Sequence, residues 1–298
     1  MKNSSLMTIT IIPMTILTIL TTLTTLLTIS IEESHASGML LHILMCKNAI
    51  EKTSSPEIQH LLRGEMDAYL SGCIFPDSGY AAKEGYGEYT HWTPFLNKYL
   101  DLLLTRCPIT SINDNDHKCK KNWAHFFGNL AHALADMNFD RHFLPEAAIH
   151  DFNNDHAKAH KFLDLQLEFV AANDYKKSIT LPDGYAPMPE IVETCKQAGI
   201  HTEENKIKQG ICIMKLAYAG IRISSPFLFR IEKRNAPWTT SNYFSAKGGI
   251  DDTGNTIAQI FNQLSEYLFG SIAMNDLPFI LSENGEWPWI VVTGSVAS

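Results

Sequence analysis

Apolar side chains recur at three- to four-residue spacing over seven stretches, 39–52, 56–72, 92–105, 121–137, 154–173, 203–222 and 256–269. That period places them on one face of a helix, so each stretch is predicted to be an amphipathic helix. The segments between them carry turn chemistry: Phe75-Pro76-Asp77-Ser78-Gly79, Leu181-Pro182-Asp183-Gly184 and Lys247-Gly248-Gly249. Strand-like runs are few, and 288–293 is the best of them. No internal repeat follows the N-terminal region. The pattern predicts one mostly α-helical domain over 37–298.

The first thirty-odd residues are of a different character. Lys2 is followed by an uncharged stretch to Ile31, rich in Ile, Leu, Met and Thr, and then by Ser34-His35-Ala36-Ser37-Gly38. A basic start, an apolar middle and small residues at a cut describe a secretory signal peptide. Residues 1–36 are therefore read as a signal peptide with cleavage after Ala36, giving a secreted or periplasmic protein. The alternative is an uncleaved anchor, since about twenty apolar residues span a bilayer.

Charge narrows the partners. The 298 residues carry 24 basic and 32 acidic side chains, a net charge of −8. Duplex nucleic acid is thereby excluded as an electrostatic partner, and charge alone does not draw the chain to an anionic membrane. No Gly-rich phosphate loop is present, which removes support for nucleotide-cofactor chemistry. Nothing in the sequence designates a protein partner. Six cysteines (Cys46, Cys73, Cys107, Cys119, Cys195, Cys212) include no CxxC pair, which argues against a thiolate zinc site. In an exported chain they are available for disulfides, in a pairing the sequence leaves open.

Histidine is the residue in excess, with twelve copies concentrated between His91 and His160. His132 and Asp136 stand four apart, and His156, His160 and Asp164 form a second ladder of the same step. A step of four stacks side chains one helical turn apart, an arrangement able to aim two ligand atoms at one cation. An HxxxD pair alone is more often a surface ion pair. Two ladders, with His142 between them and Asp77 and His91 upstream, point to metal binding.

The order Asp77, His91, His132, Asp136, His142, His156, His160 resembles the zinc-dependent phospholipase C family, which shares a fold and a trinuclear zinc centre with the fungal single-strand nucleases. Flanking words are similar to the catalytic domain of glycosylphosphatidylinositol-specific phospholipases D: Asp67-Ala68-Tyr69, Phe75-Pro76-Asp77, Thr90-His91-Trp92-Thr93-Pro94-Phe95-Leu96-Asn97, and Phe127-Gly128 ahead of His132. The likeness continues weakly to Gly248-Gly249-Ile250-Asp251-Asp252. It implies an all-α, single multi-helix domain.

The resemblance also implies a ligand set. Asp77, His91, His132 and Asp136 would hold one zinc; Asp136 would bridge to a second, completed by His42 and the amine and carbonyl of Ser37 as mature terminus. A third would take His142 with His156 and His160, or with His160 and Asp164 as in the nuclease branch; the first set is preferred on its spacing from His142. The family often begins with Trp rather than Ser, and a Glu stands in the family where this chain has His160. Only Asp77 and Asp136 then oppose roughly six positive charges, which suits an anionic substrate.

The implied activity is hydrolysis of a phospholipid headgroup phosphodiester at a membrane or micelle surface. Zinc lowers the pKa of bound water to about 7 and neutralises charge on the leaving oxygen, so no side-chain nucleophile is needed. Asp77 is a candidate general base as well as a ligand. The alternatives are phospholipase D-type cleavage, a single-strand nuclease with the same zinc site, and a noncatalytic zinc-binding surface protein. His150 has no partner at helical spacing and is expected to be a bystander. Phe75, Tyr80, Tyr86, Tyr89 and Trp92 are read as packing of the Asp77–His91 segment rather than as a headgroup rim, and Phe227-Leu228-Phe229 as either core or a membrane-facing tip.

Overall fold

The computed structural model describes residues 38–112 and 116–270. Residues 1–36, expected from the sequence to be a signal peptide, lie outside the described residues, as do Ser37 and the strand-like run at 288–293. Within them the chain is helical and contains no strand.

The N-terminal half runs α1 (Met39–Lys52), α2 (Pro56–Gly64), α3 (Met66–Ile74), α4 (Asp77–Ala82), α5 (Tyr86–Thr90), α6 (Thr93–Arg106) and α7 (His117–Asn138). A π turn, Phe139–Phe143, joins α7 to α8 (Leu144–Asp151), and a second, Phe162–Gln166, joins α9 (His156–Lys161) to α10 (Leu167–Asp174). The rest comprises α11 (Met188–Gln197), α12 (Glu204–Asn235), α13 (Pro237–Asn242) and α14 (Ile250–Leu268). Starts are encoded locally. Ser55 accepts from the Ile58 N–H at 3.3 Å ahead of Pro56, Asp116 from Cys119 N–H at 3.1 Å, and Asp155 from Lys158 N–H at 3.0 Å.

Helix α7 is the axis of the molecule. From Asn122 to Ala135 it is buried all round, the signature of a central helix. Helices α3 and α14 pack along it, and α1 lies against both. The approach of α3 depends on two glycines: a Cβ at Gly72 would overlap the His125 carbonyl oxygen, and one at Gly128 that of Tyr69. Backbone meets backbone there, which only glycine permits. A disulfide between Cys46 and Cys73 ties α1 to α3, and another between Cys107 and Cys119 closes the turn into α7. Cys195 is buried and free, and Cys212 is exposed and free. On the far side, α12 packs one face against α10 and α4.

Several elements differ from the periodicity reading: α4, α5, α8, α11 and α13 lie outside the seven predicted stretches. The stretch 56–72 is two helices broken at Glu65, whose φ of −118° and ψ of 42° leave the helical region. Helix α12 continues thirteen residues past Arg222, through Pro226, to Asn235.

Candidate metal centre

Five of the sequence-predicted ligands come from four separate places and meet in the interior. His42 projects from the first turn of α1, Asp77 opens α4, His91 follows α5, and His132 and Asp136 sit one turn apart near the end of α7. His42 Nε2 lies 3.0 Å from Asp136 Oδ1, and His132 Nε2 lies 3.1 Å from Asp136 Oδ2. Asp77 Oδ1 is 3.4 Å from His91 Nε2 and 3.7 Å from His132 Nε2. The rings of His42 and His132 stack with centroids 3.9 Å apart.

These atoms form two donor groups, His42–His132–Asp136 and Asp77–His91–His132, which share His132. Each group is compact enough to surround one cation. The hydrogen bonding around them fits a metal. His91 Nδ1–H donates to Gly87 O at 2.6 Å and His132 Nδ1–H to Cys73 O at 2.8 Å, so in both rings the lone pair is on the inward-facing Nε2. Although close, those Nε2 atoms and the oxygens Asp77 Oδ1, Asp136 Oδ1 and Asp136 Oδ2 are buried and make no well-aligned hydrogen bond. Buried polar atoms left without such partners are costly, and lone pairs converging on common points are what a borderline cation such as zinc requires.

The electrostatics agree. Burial alone would raise the Asp136 carboxyl, but the charges of His132 and His42 hold it well below the usual carboxylate range. Burial opposes protonation of His42, and Asp136 reverses this, raising its pKa to about 9.

Next to this centre stand His160 and Asp164, the alternative pair of the sequence reading, together with Asp140, which spacing did not assign. Asp140, in the first π turn, is pushed up to about 7 by burial and then by the charge of Asp136. Asp164, in the second π turn, is also pushed up to about 7, by burial opposed by His160 and reinforced by Asp77 and Asp136. His160 Nδ1 is 3.1 Å from Asp164. Asp140 continues the His132–Asp136 ladder by another four residues, a spacing visible in the sequence.

The favoured third set of the sequence reading is not assembled. His156 is exposed on the first turn of α9. His142 is half-buried at the α14 side, where Lys247, Arg141 and Asp252 are its charged neighbours. The π turn beginning at Phe139 breaks the 3.6-residue phase, so counting from His132 does not carry to residue 142. The ladder members beside the centre are His160 and Asp164. His150 stacks on Trp238 at 4.5 Å and, contrary to the expectation of no partner at helical spacing, lies 3.7 Å from Glu146 one turn earlier.

Through Asp77 the centre borders a cavity of about 630 Å³, a volume that includes open solvent at its mouth. One wall is polar, with Asp77, Tyr80, Asp164 and Glu168; the other is apolar, with Met39, Leu165, Ile213, Met214, Ala217 and Ile221. The Glu168 carboxylate accepts from Leu40 N–H at 2.9 Å and Leu41 N–H at 3.1 Å, closing the start of α1. The aromatic group divides: Phe75 and Tyr86 are buried and stacked at 5.8 Å as packing, whereas Tyr80 lines the cavity.

The family described as zinc dependent phospholipase C matches residues 41–221, a span containing every ligand in both donor groups. The chain belongs to that family. Relatives include the phosphatidylinositol-glycan-specific phospholipases D of Bos taurus (28% identical; 53% of this chain, 20% of the relative), Mus musculus (22%; 83% and 31%) and Homo sapiens (24%; 81% and 30%). The chain thus spans a fifth to a third of their length. No solved structure matches it. Family and relatives share phospholipid phosphodiester hydrolysis, with zinc as the metal for which the centre's residues are suited. The two disulfides are of a kind found in oxidising compartments.

Proposed function

We propose that this protein is an exported phospholipase of C-type specificity, cleaving between glycerol and phosphate to release diacylglycerol and a phosphorylated headgroup. The observation that carries the reading is the convergence of His42, Asp77, His91, His132 and Asp136 beside a largely apolar cavity that Asp77 itself lines. Zinc bound there would supply an activated water and neutralise phosphate charge. Asp77, His91, His132 and Asp136 would hold one ion and His42 with Asp136 another, because the single Nε2 lone pair of His132 serves one cation while its Nδ1–H is bonded to Cys73 O.

For a third ion the structure favours Asp140, His160 and Asp164 over His142, His156 and His160. With four acids instead of two, the loaded centre is nearer neutrality than the sequence reading implied. Gly38 lines the same cavity as Asp77 and Asp164, so cleavage after Ala36 would bring the amine of Ser37 to the edge of the centre as a ligand.

The chain's own residues divide the remaining work. Nδ1–H bonds of His91 and His132 fix the inward nitrogens. Asp77 Oδ1, buried and without an aligned donor, is placed to accept a proton from a water entering the cavity. Met39, Leu165, Met214 and Ile221 exclude solvent and receive the glycerol side of a lipid. That apolar wall also favours lipid over a nucleic-acid strand, for which stacking faces and a basic track are needed.

Purified protein given phosphatidylcholine in one vessel and single-stranded DNA in another tests this. Phosphocholine and diacylglycerol are expected. Phosphatidic acid and choline would reassign the cleavage to D-type, and nucleotides from the DNA alone would overturn the lipid reading.

A further inference from the structure

Helix α12 presents a second apolar surface that the metal centre does not use. Its inward face, including Ile207, Met214, Tyr218, Ile221 and Ser225, is buried, and Ser225 Oγ–H donates to Phe169 O at 2.7 Å. On the opposite side Leu216, Ile223, Phe227 and Ile231 are 68, 59, 63 and 50% exposed. At 100° per residue these four fall on one stripe, about 22 Å long from the 1.5 Å rise. The Phe227-Leu228-Phe229 word is therefore split: Phe227 points outward, and its two neighbours are half-buried.

Charge says what such a stripe meets. From Asn205 to Ile231 the chain has Lys206, Lys208, Lys215, Arg222 and Arg230 and no acid, although its net charge is −8. Some of these cations are engaged: Lys206 with Glu84 at 3.1 Å, Lys208 with Glu204 at 3.1 Å, and Arg222 with the Tyr218 hydroxyl at 3.1 Å. Arg230 and Arg234 are exposed on the stripe's own side, among Phe227 and Ile231. Apolar residues bordered by arginines are the composition of a helix lying in a headgroup layer, where the rings enter the acyl boundary and the guanidinium groups meet phosphate. The helix is long and apolar enough to cross a membrane, but it packs along one face against α4 and α10, which favours a surface-lying role. The same helix supplies Ile213, Met214, Ala217 and Ile221 to the cavity beside the metal centre, so a surface bound to the stripe lies about one helix width from the cavity.

We propose that the outward face of α12 docks this protein on a phospholipid bilayer. The proposal rests on the phospholipid reading above and adds the surface by which the substrate layer is engaged.

Co-sedimentation with vesicles of phosphatidylcholine and phosphatidylglycerol tests it, alongside hydrolysis of dihexanoylphosphatidylcholine below its micellar concentration. The double variant Ile223→Glu with Phe227→Glu should bind vesicles about tenfold more weakly or worse, with monomeric-lipid hydrolysis and circular dichroism unchanged. Arg230→Glu with Arg234→Glu, which leaves the apolar residues in place, should weaken binding and remove its salt dependence. Wild-type protein that fails to sediment, or variants that sediment like it, would overturn the proposal. So would a wild-type dimer that becomes monomeric in the double variant with vesicle binding intact, since the stripe would then be a contact between copies. A wild type inactive on the monomeric lipid would instead defeat the phospholipase reading, leaving the binding result to be judged by sedimentation.

Discussion

His42 and His132 stack their rings while both aim Nε2 at the Asp136 carboxylate, and His132 also faces Asp77. Asp136 therefore belongs to every ion the site is proposed to hold next to α7. Asp136→Ala should reduce hydrolysis by more than about a hundredfold and lower bound zinc in the same preparation, whereas His150→Ala, on the Trp238 ring, should leave both near wild type. Asp164→Asn should cost more activity than His156→Ala; the opposite order in kcat would restore the set built on the exposed histidine. His125, about two helical turns before His132, has a different fate. Complete burial, with Tyr99 and Phe75 around it, lowers its pKa to about 3. In the unfolded chain it titrates near 6.5, so the folded state loses stability as pH falls from about 6.5 towards 3. Over the span from pH 6.5 to 5 this single group accounts for about 2 kcal/mol. Thermal melts should show His125→Phe losing less Tm than wild type over that interval; equal losses would place the acid sensitivity elsewhere.

At the scale of elements, the contact that sets the centre is the glycine-mediated crossing of α3 on α7. It brings the Cys73 carbonyl onto His132 Nδ1 and, through the Cys46–Cys73 disulfide, holds α1 one turn from His42. Gly128→Ala should lower Tm by several degrees, since overpacking costs about 1–3 kcal/mol, and should weaken zinc retention at the same time. Much of this level was legible: the spans of α1, α6, α7 and α14 follow from period 3.6 to within a few residues. Helices α4 and α5 were not, because six and five residues are too short to show a period, so the aromatic-rich segment read as a loop. The two π turns were invisible for a different reason. Nothing in local composition marks them, yet they determine that Asp140 and Asp164 face the centre while His142 does not. The i, i+4 pair His132–Asp136 survived because it lies wholly within α7, and His160–Asp164 keeps its contact across the start of the second π turn.

Considered whole, the molecule has a buried cluster of acids and imidazoles at the foot of an apolar cavity, with the exposed stripe of α12 beside it. Composition had excluded duplex nucleic acid and nucleotide cofactors, but a net charge conceals distribution, and the acid-free length of α12 emerges only when the outward face is known. Disulfide pairing was likewise beyond the sequence, since it depends on which helices α3 and α7 bring together. Reduction should therefore act on the site as well as on stability. Cys46→Ser with Cys73→Ser should cost about 2–4 kcal/mol of unfolding free energy and loosen zinc binding, while Cys212→Ser, at an exposed free thiol, should do neither.

The central claim is that the atoms converging on His132 hold catalytic zinc. Zinc content per chain, measured by mass spectrometry on protein purified without added metal, together with phosphocholine release from phosphatidylcholine before and after chelation, addresses it most directly. The account predicts two to three zinc per chain, both signals lost on chelation and in His132→Ala, and both recovered when zinc is returned to the wild type. Hydrolysis that persists in metal-free protein, or a His132→Ala chain that retains full zinc and full activity, would contradict it.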